Sequence, residues 1–438
     1  MKKYSLIYIA KLSFPIFLAN VAIPLVGIID TSLMGNLGNI SYLTATSIAA
    51  NLFSMIFWSF GFLKMGTVGM VSQAHGENNY SKILSILLRN LFFVIVISLI
   101  LIFFQFFILN LTLNIFELSR ETQNLYQDYF NIRIYSAPGE LTLYIITGIF
   151  IGLQKTKISS LVVSCFSILN IILSIILVSQ YNLNVKGVAY GSLLAGYITS
   201  TIFLIYTFFY IKRFVNIKID INNIFNTKQI KYIFHINLNI FIRTILLSFS
   251  FLWFIYLSNK IGEEYVAANT ILINLVNLAA FILDAYAFAT QGMVGYSIGK
   301  NDKNLFRLIV KNSFILSAIT SVFISVVYLL IHKKIIYQMA DIDLIRNLSV
   351  DYAIWLIIFP LISSFCYQLD GIFIGASQTI ELRNAMIFSS ILYLLISLML
   401  VEKLLNTGLW ISLAIFMILR AGSLFYYLDR IYLRFNSR

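Results

Sequence analysis

The 438-residue chain holds only two cysteines, three histidines and four prolines, and charged residues make up 11% of it. Each scarcity excludes a class of protein. Cys165 and Cys366 both lie inside long apolar runs, so no disulfide framework organises the fold and the redox compartment stays open. His75, His235 and His332 are scattered at the edges of such runs and no H-E-x-x-H occurs, which leaves no metal site to expect. The nearest approach to a phosphate loop, Gly295-Tyr-Ser-Ile-Gly299-Lys300, has three residues between its glycines rather than four. It also has Asn301 where a Ser or Thr would bind magnesium, and it repeats the 72–77 region, so it reads as a structural loop after a helix. No nucleophile and base constellation stands out. The chain is therefore expected not to be an enzyme and to carry no cofactor, with an ion gradient as its energy source.

What is abundant is apolar surface. Hydrophobic residues make up 60% of the chain, and runs of about twenty or more recur from end to end, as in a polytopic helical membrane protein. The 38 Phe and 26 Tyr accompany a general richness in Ile, Asn and Lys, so they read as compositional bias rather than a stacking surface. Measured against the length of a membrane crossing, the runs give twelve helices, near 12–34, 44–72, 86–113, 128–153, 158–180, 187–211, 231–258, 266–296, 309–332, 351–376, 383–401 and 407–428. The polar stretch 212–231 divides them six and six, which sets the expected domains as a lobe over 1–211, a cytoplasmic linker over 212–231 and a lobe over 232–438.

The net charge of +13 would suggest nucleic acid in a soluble protein. Here twenty Lys and Arg fall on one side of the expected spans and the termini, eight fall on the other, and Lys64, Arg243 and Arg420 lie within spans. That bias places both termini in the cytoplasm and accounts for the charge without nucleic acid. Lys11 interrupts the first run and no small-residue cleavage site follows it, so an uncleaved first span is expected.

Sliding the chain by 223 residues aligns 42–78 with 265–301 without a gap, giving eleven identities. The same shift lays Asp128-Tyr129 on Asp351-Tyr352, and Gly148-Ile-Phe-Ile-Gly152 on Gly371-Ile-Phe-Ile-Gly375. One shift across such distant blocks marks a duplication. Six spans per unit make the repeats parallel, related by an axis along the membrane normal, with a cleft between bundles where transporters place substrate. Pro138 and Pro360 occupy matching spans one residue out of register. Pro15 and Pro24 have no counterpart in span seven, so the repeat breaks in span one.

Span one also carries Asp30, six residues after Pro24. Pro24 cannot donate to the Asn20 carbonyl and marks an expected hinge. A carboxylate at mid-bilayer costs about 2.5–3.5 kcal/mol on insertion scales and is a functional candidate by default. Glu140, Asp284 and Asp370 are the other acidic residues within spans. Depth along the helices pairs Asp284 with Arg243, Asp370 with Arg420 and Lys64 with Glu140, while exchanged partners among the second-half charges fit equally. Asp30 is then left without a cation, and a carboxylate unpaired in a low-dielectric site is suited to bind and release a proton. Asn170 on span five could hydrogen-bond it, or simply bridge helices.

The residues that carry a family resemblance are Pro24-Leu-Val-Gly-Ile-Ile-Asp30-Thr31, Leu63-Lys-Met-Gly-Thr-Val-Gly69 with Gln73-Ala-His-Gly76, and Ser136-Ala-Pro138. Leu169-Asn170-Ile, Leu283-Asp284-Ala-Tyr-Ala-Phe-Ala289, and Leu369-Asp-Gly-Ile-Phe-Ile-Gly-Ala376 with Leu382-Arg-Asn384 complete the set. In order and spacing they resemble the multidrug and toxic compound extrusion (MATE) family, in its DinF-like branch. The resemblance implies an all-α fold of two six-helix lobes, alternating access, and export of small organic, amphipathic, often cationic compounds against inward protons or sodium. It implies that Asp30 is the cation-coupling carboxylate, that span one bends on protonation, and that Asn170 and Ser192 face a cavity. Two departures stand out: many relatives have Asp where this chain has Ser174, and some have Glu at Gln291. Weight then shifts to Asp30 in the first half and to Asp284 or Asp370, with Arg243, in the second.

The leading expectation is a proton-coupled exporter of small organic, cationic compounds, acting as a monomer in the bilayer of the inner membrane. A sodium-coupled exporter would need several oxygen ligands around Asp30, with Asn170 and Ser174 among the candidates. A lipid-linked precursor flippase would need a basic cavity, against four acidic and three basic residues within the spans.

Overall fold

In a bilayer every backbone amide must find its partner within the chain, so apolar runs of this length fold as helices. The computed structural model describes residues 4–116, 118–214, 226–433 and 435, and among them it is helical with no strand. In chain order the helices are α1 (Leu6–Gly35), α2 (Ile40–Ser59), α3 (Phe62–Gly76), α4 (Tyr80–Phe103), α5 (Gln105–Ile115), α6 (Arg120–Arg133) and α7 (Ala137–Gly152). There follow α8 (Thr156–Ser179), α9 (Asn184–Lys212), α10 (Thr227–Ile261), α11 (Glu263–Gly299), α12 (Lys303–Met339), α13 (Asp343–Asp351), α14 (Ile354–Gly375) and α15 (Thr379–Leu433). Eleven helical segments among the described residues are long and apolar enough to cross a membrane, counting α2 with α3 and α6 with α7 as single crossings. The 55-residue α15 is broken at Leu405, where φ is 49° and ψ is −129°, so it supplies two crossings and the total is twelve. The protein is an all-α, multi-pass membrane protein.

The described residues form two compact units. The first is Leu18–Ile233; the second joins Met1–Phe17 to Phe234–Arg438. Helix α1 contributes to both, because its opening residues belong with the second unit. There Tyr4 stacks on Tyr296, with ring centroids 6.3 Å apart, and Asn312 Nδ2 donates to the Tyr4 carbonyl at 3.0 Å. Most of the connector expected over 212–231, namely 215–225, lies outside the described residues, as do Lys2, Lys3, Arg434 and Arg438.

The duplication read from sequence recurs in the packing inside each unit. In the first, α7 crosses α3 so closely that a Cβ at Gly148 would fall 2.9 Å from the Lys64 carbonyl oxygen. In the second, α14 crosses α11 at the equivalent point, and a Cβ at Gly371 would collide with the Ala287 carbonyl oxygen. Small residues let the helix backbones meet where apolar burial gives no drive for association. The turns repeat as well. Asn78 (φ 54°) and Asn301 (φ 56°) close the helices after the first and second copies of the block, and Gln154 (φ 58°) and Ser377 (φ 54°) do so after α7 and α14. Asn79 caps α4 by accepting from the Lys82 amide, and Asp302 caps α12 by accepting from the Leu305 amide, both at 2.9 Å.

Leu405 is the costly member of this series. A left-handed φ is disfavoured for a side chain with a Cβ, and asparagines take the comparable turn between α8 and α9, at Asn182 (φ 53°) and Asn184 (φ 47°). Leu405 is 56% exposed, so truncating it removes little packing. Leu405→Gly is therefore expected to stabilise the protein by about 1 kcal/mol, seen as a higher thermal midpoint of the purified protein in detergent.

Candidate functional site

The C-terminal half of α1 turns one narrow face inward. Between Pro24 and Gly35 its buried residues are Asp30 and Met34, one turn apart, while Pro24, Leu25, Gly27 and Ile28 are exposed. Asp30 is thus carried into the first unit by helical periodicity, with 6% of its surface left accessible. The helix runs on through Pro15 and Pro24. Thr31 Oγ1 donates to the Gly27 carbonyl at 2.7 Å, a back-bond that favours bending and lies C-terminal to the 20–24 turn, where Pro24 has no donor to give.

Ser174 of α8 stands near the Asp30 carboxylate. Helix α9 fixes Ser174 there by close approach: a Cβ at Gly191 would lie 2.6 Å from Ser174 Oγ. From Ser174 a buried chain of polar groups leads away. Ser174 Oγ donates to Asn170 Oδ1 at 3.2 Å, and Asn170 Nδ2 donates to Ser192 Oγ at 3.0 Å. The sequence candidates Asp30, Asn170, Ser174 and Ser192 are thus brought together in one site. A serine has a single proton to give. When Ser174 serves Asn170 it cannot also serve an ionised Asp30, so the proton state of Asp30 decides which way this chain of bonds points.

The opposite side of the site was not foreseen. Arg133, one of the eight cations that the charge count placed on the outer side, is buried in the first unit at 9% exposure. It ion-pairs with Glu140 and donates to Ser136 Oγ. Its guanidinium also lies over the rings of Phe53 and Phe57, 5.7 and 5.2 Å from their centroids, with Tyr129 of the same helix close by. Both Arg133 and Tyr129 stand within electrostatic reach of Asp30. Glu140 therefore has Arg133 as its ion-pair partner rather than Lys64, because depth along a helix does not fix which face a side chain takes. A signal was available: Tyr126, Tyr129, Phe130 and Arg133 recur at helical spacing and form the buried stripe of α6. Among the described residues Asp30 itself is in no ion pair, and its Oδ1 is buried without a hydrogen-bond partner.

The second unit treats its charges differently. Asp370 on α14 receives Arg243 from α10 and Arg420 from α15 on the same oxygen, so one carboxylate ties three helices. Arg243 thus goes to Asp370 rather than to Asp284, one of the exchanges that depth alone left open. Asp284 is half-buried, near enough to Tyr367 to act on it electrostatically. The repeat shift of 223 carries Asp30 onto Trp253 and Ser174 onto Ser397, and these two meet: Trp253 Nε1 donates to Ser397 Oγ at 2.9 Å. The same shift carries Asn170 onto the buried Tyr393. The second unit keeps the serine and replaces the carboxylate by an indole N–H, which cannot exchange a proton near neutral pH. No group of three or more His, Cys, Asp or Glu that could hold a metal is found among the described residues.

Comparison with known proteins agrees with this architecture. The MatE family model matches residues 15–176 and 240–399, one match in each repeat. The chain is 29% identical to DNA damage-inducible protein F of Escherichia coli, over 94% of its own length and 90% of that protein's. It is 21% identical to the multidrug export protein MepA of Staphylococcus saprophyticus, over 71% of its own length and 69% of that protein's. Its fold resembles that of a MOP superfamily transporter from Pyrococcus furiosus, with a TM-score of 0.85, 17% identity and coverage of 97% of this chain and 96% of that one. With two matched repeats on a twelve-crossing helical fold, the chain belongs to the MatE family of transporters.

Proposed function

We propose that this protein is a secondary antiporter of the cytoplasmic membrane, with both termini inside, that exports small organic, cationic and amphipathic compounds in exchange for protons by alternating access. The observation that carries the reading is Asp30, a carboxylate buried on α1 with no cation paired to it and with an oxygen left unbonded. Protonation removes the cost of the buried charge and frees Ser174 to donate to Asn170. Ionisation calls the Ser174 proton back to Asp30 and leaves the site ready for an organic cation. Proton and cationic substrate then compete for one carboxylate, which is the minimum that exchange requires. Pro24 and the Thr31 back-bond allow the C-terminal half of α1 to repack between the two states.

The substrate class follows the printed name of the relative from Staphylococcus saprophyticus, a multidrug export protein. A single carboxylate with Ser174 where a second could stand favours a proton over sodium, because sodium needs several oxygen ligands and a proton needs one. Cells expressing the protein are expected to accumulate less ethidium than control cells. A protonophore should abolish the difference, and replacing external sodium by choline should leave it intact. Loss of efflux on sodium replacement alone would overturn the proton reading.

A further inference from the structure

Two buried polar atoms lie unbonded in the same part of the first unit. One is Asp30 Oδ1; the other is Nε of Arg133. Arg133 is otherwise well held, by Glu140 in the first turn of α7, by Ser136 in the turn before it and by the rings of Phe53 and Phe57 on α2. A buried guanidinium with a spare donor, within electrostatic reach of a buried carboxylate with a spare acceptor, is an internal counter-ion waiting for that carboxylate to ionise. Asp30 is faced by Tyr129 and Arg133 from α6, by Ser174 and behind it Asn170 from α8, and through Arg133 by Glu140 from α7.

We infer that Arg133 is the ion-specificity residue of the coupling site, a tethered cation that takes the place a metal cation would occupy beside Asp30 and so leaves the proton as the exchangeable ion. The inference rests on the proton-antiport reading given above.

The chemistry of the two ions makes the distinction. Sodium must gather oxygen atoms around itself, whereas a proton sits on Asp30 and needs no coordination shell. Arg133 keeps an unbonded Nε–H within electrostatic reach of the Asp30 carboxylate, and the polar side chain beside that carboxylate on α8 is Ser174, which has one hydroxyl oxygen to give. With Asp30 protonated, Glu140 is the carboxylate that holds Arg133; with Asp30 ionised, Arg133 is shared between the two. The guanidinium thereby steadies the empty, ionised site without blocking proton return.

The test uses purified full-length protein in liposomes, with ethidium transport driven either by a pH gradient or by a sodium gradient at equal pH. The parent should respond to the pH gradient alone. Arg133→Gln should gain a sodium-driven rate about tenfold or more above the parent's, and direct binding of radioactive sodium that is blocked by Asp30→Asn. Arg133→Lys, which keeps the charge, should remain unresponsive to sodium. Arg133→Gln leaves Glu140 without its ion-pair partner, so the double variant Arg133→Gln with Glu140→Gln serves as the folded background if the single variant is unstable. A proton-driven parent whose neutral Arg133 variants neither bind sodium nor respond to it overturns the role of Arg133 while leaving proton antiport standing. A parent driven by sodium alone overturns the underlying reading and this inference with it.

Discussion

Asp30→Asn is expected to abolish pH-gradient-driven dye transport in proteoliposomes, lowering the initial rate by about 100-fold or more, because a group with no titratable proton cannot couple two binding events. Asparagine matches the carboxylate in volume and can still meet Ser174, so folding should survive the change. Indeed stability should hold or rise slightly, since a charge buried at 6% exposure without an ion-pair partner is a cost to the fold rather than a support. Loss of transport with unchanged thermal midpoint is the signature to look for. Equal transport in the variant would remove Asp30 from the coupling step.

The second large effect belongs to the arginine clamp. Asp370 is the shared partner of Arg243 and Arg420, all three at 6% exposure or less, and the clamp joins α10, α14 and α15. Asp370→Asn leaves two buried guanidiniums facing each other, and removing one partner of a buried pair typically costs about 3–5 kcal/mol. Arg420→Met leaves the Asp370 and Arg243 pair intact and fills much of the same volume, so it should cost less. The expected order of thermal midpoints is parent, then Arg420→Met, then Asp370→Asn, with the double variant Asp370→Asn and Arg420→Met recovering part of the loss. If Asp370→Asn unfolds at the parent's temperature, the clamp is not what holds these helices.

These two carboxylates were equally visible in the sequence, and only the structure separates their roles. A charge inside an apolar run is legible at once, and so were twelve crossings, the duplication and the proline beside Asp30. The break near 402–406 between the last two crossings was legible as a gap between runs, although its left-handed residue at Leu405 was not. Helix rotation is the missing quantity. Depth alone set Glu140 against Lys64, whereas Glu140 ion-pairs with Arg133 two turns before it, across the turn that precedes Pro138. Arg133 itself was counted with the outer-side cations although it falls near the start of the expected span 128–153, and it lies on the buried stripe of α6. Ser174 shows the opposite case. It reads as the loss of a second carboxylate, and in the structure it is the group that relays Asp30 to Asn170 and Ser192. The Trp253 and Ser397 contact could have been found by adding 223 to Asp30 and Ser174. It was not, because the first crossing shares too few identities with the seventh to announce the match.

The measurement that tests the account most directly is proton release on substrate binding. Purified protein in weakly buffered detergent with a soluble pH dye should release protons when a cation binds, with the yield rising toward one proton per cation as the starting pH is lowered and Asp30 begins protonated, as linkage through a single carboxylate requires. Asp30→Asn should release none while Asp284→Asn releases as much as the parent. Release that persists undiminished in Asp30→Asn, or a parent that binds substrate without releasing any proton, would contradict the claim that one buried carboxylate on the first helix couples export to the proton.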